Sequence, residues 1–301
     1  MKFLFVSMWS INSLKGCSLS NGQHGTTSSF FRMFKARFTS VNILKNAVRI
    51  IKERIRHAML VANQDGLFLE SMDETHVTVV GFHLDSEAAE MYECGNKTYK
   101  WGIDFDVFFR ILSTSSAKGT CTLTYDDEDE PDVVKITFQS DRDRSCFQMK
   151  LCDIDSDQIG IPDDMEHRCN VTVDTRDLER IVKDLSTFSE DVTIVRQGKT
   201  LMFSSVGDAA NGCVEMQCGD NFRGKLSRTF SLHFLAWFSK ASVMCDTAIL
   251  SIDENFPLLL HYKSDLLSFR FFASPKTVDD DDANAYVSFS DDDVDENTMV
   301  E

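Results

Sequence analysis

The stretch Met149-Lys-Leu-Cys-Asp-Ile-Asp-Ser-Asp-Gln-Ile-Gly-Ile-Pro162 divides the sequence near its middle. It has neither the alternation of a half-buried strand nor a helical apolar stripe along its whole length. Asp153, Asp155 and Asp157 repel one another and favour an extended, solvated path, while Ile154, Ile159 and Ile161 are spaced to dock singly on a neighbouring surface. Gly160 and Pro162 close the segment, and Pro162 biases Ile161 away from helix. The stretch therefore reads as an interdomain strap over 149–165, against the plainer alternative of a solvated linker. A calcium loop beginning at Asp153 needs glycine sixth and glutamate twelfth. Gln158 and Asp164 stand there instead, and Pro162 falls inside the loop.

Working outward, the two flanks carry the same order of elements. On the left, a strand over 33–38 leads through Ser40, a candidate N-cap, into a helix over 41–56. Leu44, Val48, Ile51 and Ile55 form its apolar face; Lys45, Arg49, Lys52 and Arg56 recur at the same spacing on another face. Strands are expected at 57–63, 67–72, 76–82, 89–94 and 99–103, then a helix at 104–113 with Arg110 outward, then strands at 119–125, 132–139 and 143–151. On the right, a strand at 170–173 precedes a helix at 175–187, capped by Asp174 or Thr175, with Arg176, Arg180 and Lys183 on its outer face. Strands at 191–196, 200–205 and 212–218 follow, then a helix at 231–241 carrying Lys240, then strands at 247–252, 257–262 and 267–273. Internal duplication is the economical account. It gives two similar domains, at 33–148 and 166–276. Equivalent basic helices in both halves of an acidic chain point to a polyanion-facing surface, able to neutralise phosphates without reading bases.

The 301 residues suit two domains, and 43% hydrophobic residues, with 24 Phe among them, allow each a core. Nine cysteines without a CxxC pair fit reduced, mostly buried thiols better than a disulfide framework or a zinc site. The net charge of −17 is concentrated at one end: residues 277–301 hold ten acids and no Lys or Arg, so the remainder carries −7. That tail is expected to be disordered. Residues 1–32 lack Asp and Glu altogether, and read as an extension outside the fold.

A search for catalytic chemistry yields one candidate, Gly219-Asp-Asn-Phe-Arg-Gly224-Lys225, which has phosphate-loop spacing. Leu226 follows where a magnesium-binding hydroxyl belongs, and the context predicts an excursion between strands rather than a strand feeding a helix. No HxxxH, GxSxG or GxGxxG pattern occurs. The reading is a non-enzyme with no cofactor and no metal.

These segments together resemble the eukaryotic-type DNA sliding clamps, the proliferating cell nuclear antigen family. The resemblance runs from Met33-Phe-Lys-Ala-Arg37 through Ser71-Met-Asp-x-x-His76-Val77, the strap, Cys169, Arg180-x-x-Lys183-Asp-Leu-Ser186, Asn211-Gly212 and Leu235-x-x-Phe238-x-Lys240-Ala241 to Pro275-Lys276. It implies an α+β clamp fold: two similar domains per chain, three chains in a head-to-tail ring, helices lining the hole and antiparallel sheets outside. Duplex DNA would pass through the ring, which would tether a DNA polymerase, a clamp loader and other replication and repair proteins in the nucleus. Lys45, Lys52, Arg110, Arg180, Lys183 and Lys240 match lumen positions, and Arg49 shares their face. Met72, His76, Val77, Val79, Ile154, Ile159, Ile161, Pro257, Phe272, Ser274 and Pro275 match the groove for a glutamine–aliphatic–diaromatic partner peptide. Phe147 and Gly212 fall at the expected subunit joint, where the strand near 143–151 should meet that near 212–218. The sequence departs from the family at Asn96, Ser113 and Gly198, where basic residues are expected; Gly198, with Lys199 beside it, occupies the place of a modifiable lysine. Asp106, one turn before Arg110, is expected to weaken the second helix as a phosphate contact. Two alternatives remain: a subunit of a checkpoint-type heterotrimeric clamp, and a phosphate-loop enzyme using Lys225.

Overall fold

A computed structural model describes residues 33–115, 119–154, 159–161 and 165–276. The extension at 1–32, the tail at 277–301, and Asp155, Asp157, Gln158, Pro162 and Asp164 of the calcium-loop comparison lie outside them.

The first half runs β1 (Met33–Phe38), α1 (Asn42–Ile51), β2 (His57–Asn63), β3 (Gly66–Met72), β4 (Thr78–Asp85), β5 (Met91–Glu93), β6 (Tyr99–Asp104), α2 (Phe105–Thr114), β7 (Thr120–Asp126), β8 (Val133–Gln139) and β9 (Arg144–Lys150). The second runs β10 (Cys169–Asp174), α3 (Thr175–Leu185), β11 (Asp191–Val206), β12 (Asn211–Ser231), α4 (Leu232–Phe238), a 3-10 turn over Ser239–Val243, β13 (Thr247–Ile252), β14 (Leu258–Lys263) and β15 (Leu267–Ala273). The strands alternate as expected of sheets with one buried face: β7 and β8 bury every second residue, Cys121, Leu123 and Tyr125 against Val134, Ile136 and Phe138.

Three antiparallel sheets result, ordered β5-β1-β7-β8-β9, β10-β13-β14-β15-β4-β3-β2-β6, and β11-β12. The second crosses the chain's midpoint, because β15 pairs with β4 from Leu267↔Leu84 to Ala273↔Thr78. The helices lie together. α1 packs on α2 and α3 on α4, and the indole N–H of Trp237 donates to the carbonyl of Ile50 at 2.7 Å, tying α4 to α1.

Where elements begin and end, the sequence reading needs adjustment. α1 stops at Ile51 although its apolar period runs on, because Ile55 is buried from a turn whose N–H bonds back to Ile51. Ser40 still serves the helix start, accepting from the N–H of Asn42 at 3.2 Å. α4 is shorter than its pattern, its last turn tightening to 3-10. The expected pair of strands at 191–196 and 200–205 is one long element, β11, bent at Gly198 in the left-handed region (φ 54°). Its two arms lie side by side, since the Ser204 hydroxyl donates to the carbonyl of Thr193 at 3.4 Å. The excursion expected after 218 is a slip within one strand: β12 continues to Ser231, but its register against β11 jumps from Thr200↔Gln217 to Gly198↔Phe222 and then Gln197↔Lys225, leaving 218–221, 223 and 224 without a partner in β11.

Candidate DNA-facing surface and partner groove

α1 turns Leu44, Ala47, Val48, Ile50 and Ile51 into the core, which leaves Arg49 exposed and Lys45 and Lys52 half-exposed on its other side. α3 buries Leu178, Ile181, Val182 and Leu185 and exposes Arg176, Arg180 and Lys183. Its start is fixed by Asp174, whose carboxylate accepts from the N–H groups of Arg176 (2.8 Å) and Asp177 (3.2 Å), a cap contributing roughly 1 kcal/mol. Arg49 from the first half and Lys240 from the second line one cavity of about 370 Å³ with Glu53, Glu179 and Ser242. Basic positions of both halves therefore share a surface.

That surface is partly neutralised from within. Lys52 pairs with Asp106 at 3.3 Å and lies over the Phe109 ring at 4.8 Å; Lys240 pairs with Glu53; Arg180 sits between Asp177 (3.4 Å) and Asp184 (3.7 Å). Among the described residues, Lys45, Arg49 and Lys183 make no ion pair. Arg110 is exposed, its Nε donating to the backbone carbonyl of Asp106 at 3.4 Å. The Asp106 carboxylate engages Lys52, just past the end of α1.

On the sheet side, the strap starts by crossing β6. The Cys152 N–H donates to the carbonyl of Gly102 at 2.8 Å, and a Cβ on Gly102 would stand 2.0 Å from the Cys152 carbonyl oxygen. Only glycine allows that crossing. Ile154 lies there too, its Cδ1 3.1 Å from the same point. Further along, Ile159 and Ile161 land elsewhere on the sheet: Ile161, 7% exposed, clusters with Val79 and Phe272, flanked by Met72, Ile159, Met165 and Leu259. Its N–H donates to the Glu70 carboxylate at 3.4 Å. The structure thus brings together Met72, Val79, Ile159, Ile161 and Phe272 and leaves Ile154 three strands away, on β6. Pro257 is buried, its carbonyl 3.0 Å from a ring nitrogen of His167. Ser274 donates to the Val77 carbonyl at 3.2 Å, and Pro275 follows half-exposed.

The turn carrying His76 is built around Asp73, whose role the sequence reading missed. Asp73 is 3% exposed and accepts from the N–H groups of Thr75 (3.1 Å), Val77 (3.0 Å) and Thr78 (2.7 Å) and from the Thr75 hydroxyl. Burial works against its charge, but the hydrogen bonds from Thr75 and Thr78 outweigh it and hold the carboxyl below its ordinary value. The turn holds His76 at φ 57°, exposed, with Nδ1 3.1 Å from the Met72 sulfur. Met165 and Leu259 were also missed, although Leu259 alternates with buried Leu258 and Leu260 along β14 as an outer-face residue should.

Among the strand edges left unpaired in the described residues are β9, last in its sheet, and the first arm of β12. Phe147, half-buried, meets Phe138 with ring centroids 5.9 Å apart. Gly212 lies under Leu185, whose Cδ2 would be 2.7 Å from an added Cβ, and beside Phe188, which is 48% exposed.

The phosphate-loop candidate does not lead from a strand into a helix. Residues 219–225 belong to β12, with Phe222 opposite Gly198 and Lys225 opposite Gln197, and Asp220 is engaged by the buried Arg196 guanidinium at 3.0 Å. Among the described residues no group of His, Cys, Asp and Glu is placed to hold a metal, and no helix is long and apolar enough to cross a membrane.

The family model for the proliferating cell nuclear antigen N-terminal domain matches residues 33–159, and that for its C-terminal domain matches 160–277. A curated relative, proliferating cell nuclear antigen of Chaetomium thermophilum, is 32% identical over 263 residues, covering 83% of this chain and all of the relative. Proliferating cell nuclear antigen 2 of Drosophila melanogaster is 27% identical over 258 residues, with the same coverage.

Proposed function

The chain belongs to the proliferating cell nuclear antigen family, the DNA sliding clamps, and on that premise we propose how its own residues do the work. As a member it is a processivity factor that encircles DNA and holds polymerase and other replication proteins to it; neither a checkpoint-type subunit nor a nucleotide-binding enzyme is favoured. Our reading is a homotrimer of two-domain subunits (33–148 and 166–276, joined by the strap), catalysing nothing itself and working in the nucleus. The carrying observation is the joint surface of α1, α3 and the turn after α4. It brings Arg49 and Lys240 to one cavity, with Lys45, Lys52 and Lys183 on the faces of the same elements turned from the core, in a chain of net charge −17.

Arg110 and Arg180 complete that surface. Evenly spread cations facing a duplex neutralise phosphates without selecting bases, so binding is weak, salt-sensitive and indifferent to sequence. Residence then comes from topology, a ring that cannot leave a closed circle. On the outside, the apolar cluster beneath Ile161, with His76 and Val77 at its margin, takes a peptide presenting glutamine, an aliphatic residue and two aromatics. The decisive measurement is retention after loading. On nicked circular DNA the protein should stay through gel filtration at moderate salt, and on the same DNA linearised it should be lost. Equal retention on both would replace encirclement by ordinary surface binding.

A further inference from the structure

The edges of β9 and of the first arm of β12 carry the only cysteines exposed among the described residues, Cys146 and Cys213. Along β9, Phe147 and Met149 turn toward the core, while Arg144, Cys146, Gln148 and Lys150 are exposed. Along the first arm of β12, Gly212, Val214 and Met216 turn inward, and Asn211, Cys213, Glu215 and Gln217 outward. Residues facing each other across a strand pair lie on the same side of the sheet. If the edges join antiparallel, as every strand pair within the chain does, outward residues meet outward ones.

Charge and size then choose the register. Setting Arg144 opposite Glu215 places Phe147 opposite Gly212, beside the exposed ring of Phe188, and Cys146 opposite Cys213. A slip of two residues sets Cys146 against Glu215 and Phe147 against Val214, losing the ion pair and crowding two inward side chains. Setting Lys150 opposite Glu215 instead runs Asn211 to Val214 past the end of β9.

We propose that Cys146 of one subunit and Cys213 of the next face each other across the joint and form an intersubunit disulfide when a peroxide oxidises them. This rests on the ring reading above. Directly opposed residues of an antiparallel pair have Cα atoms about 4.5 or 5.5 Å apart, within the roughly 4.4–6.8 Å a disulfide accepts. One thiolate attacks the peroxide and becomes a sulfenic acid, releasing hydroxide; the second sulfur then attacks it, the S–S bond forms and water leaves. Two thiols are oxidised and one peroxide is reduced. Assembly favours the step. Burial, then the nearby Glu215 carboxylate, raises the Cys213 thiol in the separate chain, and Arg144 arriving opposite Glu215 offsets the second of these. Three such bonds lock the ring against opening until they are reduced.

The test treats the full-length reduced protein with hydrogen peroxide, follows non-reducing denaturing electrophoresis, and measures native mass in parallel. Species of two and three chain masses should appear, revert with dithiothreitol, and be lost in Cys146→Ser and in Cys213→Ser. Mixing the two variants, with time for subunit exchange, should restore the two-chain species, since only mixed joints then hold both sulfurs. A native trimer that stays uncrosslinked, or crosslinks that survive either substitution, overturns the clasp alone. A native mass of one chain overturns the ring reading and the clasp together.

Discussion

Asp73 shows how a single side chain can set the geometry of a binding surface. Its carboxylate satisfies three backbone N–H groups in the turn that presents His76 and Val77. Replacing it by alanine strands buried donors, each costing about 1–3 kcal/mol. Asp73→Ala should therefore lower stability in urea denaturation by at least that amount and weaken peptide binding as well; unchanged values for both would leave the turn to be held by its backbone alone. Because its folded pKa lies below the ordinary 3.8, the stabilisation is present above that value and lost as pH falls through the folded pKa. Asp73→Ala should then flatten the acid limb of the stability profile. At the helical surface, unpaired Lys183 and paired Lys52 should differ. Lys183→Ala should reduce the log–log salt slope of DNA binding by about 0.9, whereas Lys52→Ala, by freeing Asp106 as well, should weaken binding beyond the loss of one contact. Equal effects would mean that the Lys52–Asp106 pair opens on the duplex. Gly198 has a backbone reason for departing from lysine: at φ 54° a side chain is strained, and exposed Lys199 stands one residue on.

At the strap the described isoleucines dock as single side chains on the sheet, as the sequence suggested, and the reason is physical. Isolated isoleucines among aspartates cannot make a core of their own, so their need for an outside surface was legible. Which surface was legible only through the resemblance, since no local pattern says that β4 and β15 lie side by side. Periodicity found α1 and α3 for the same kind of reason, but could not find their ends, because Ile55 is buried as well from a turn as from a helix. Nor could it show that β12 runs through Gly219–Lys225, held to β11 at Phe222 and Lys225 while the residues between slip out of register. Ile161→Ser removes the buried side chain at the centre of the cluster, worth roughly 1.5–3 kcal/mol. It should weaken a labelled glutamine–aliphatic–diaromatic peptide about tenfold or more by fluorescence anisotropy, with native mass unchanged. Parent-like affinity would take the strap out of the binding site.

For the whole molecule, the open edges of β9 and β12 are the features that demand a partner, because an unpaired edge with half-buried apolar residues invites another strand. Identical chains joined head to tail at a constant angle close into a ring. Phe147→Asp should give single chains at micromolar concentration by sedimentation, and circular dichroism should show the subunit still folded, since the Phe138 contact is only one side of that residue's environment. A variant that remains trimeric would move the joint elsewhere.

The sheet that crosses the chain's midpoint has a mechanical consequence. β4 and β15 are bonded along seven consecutive residue pairs, from Leu267↔Leu84 to Ala273↔Thr78, and Trp237 rivets the helical layer over the same seam. Each chain is therefore a stiff beam with no hinge at its centre, although its sequence is a tandem of two units. A bending load applied to a circle of such beams concentrates where one beam abuts the next, and the circle cracks there before any beam folds.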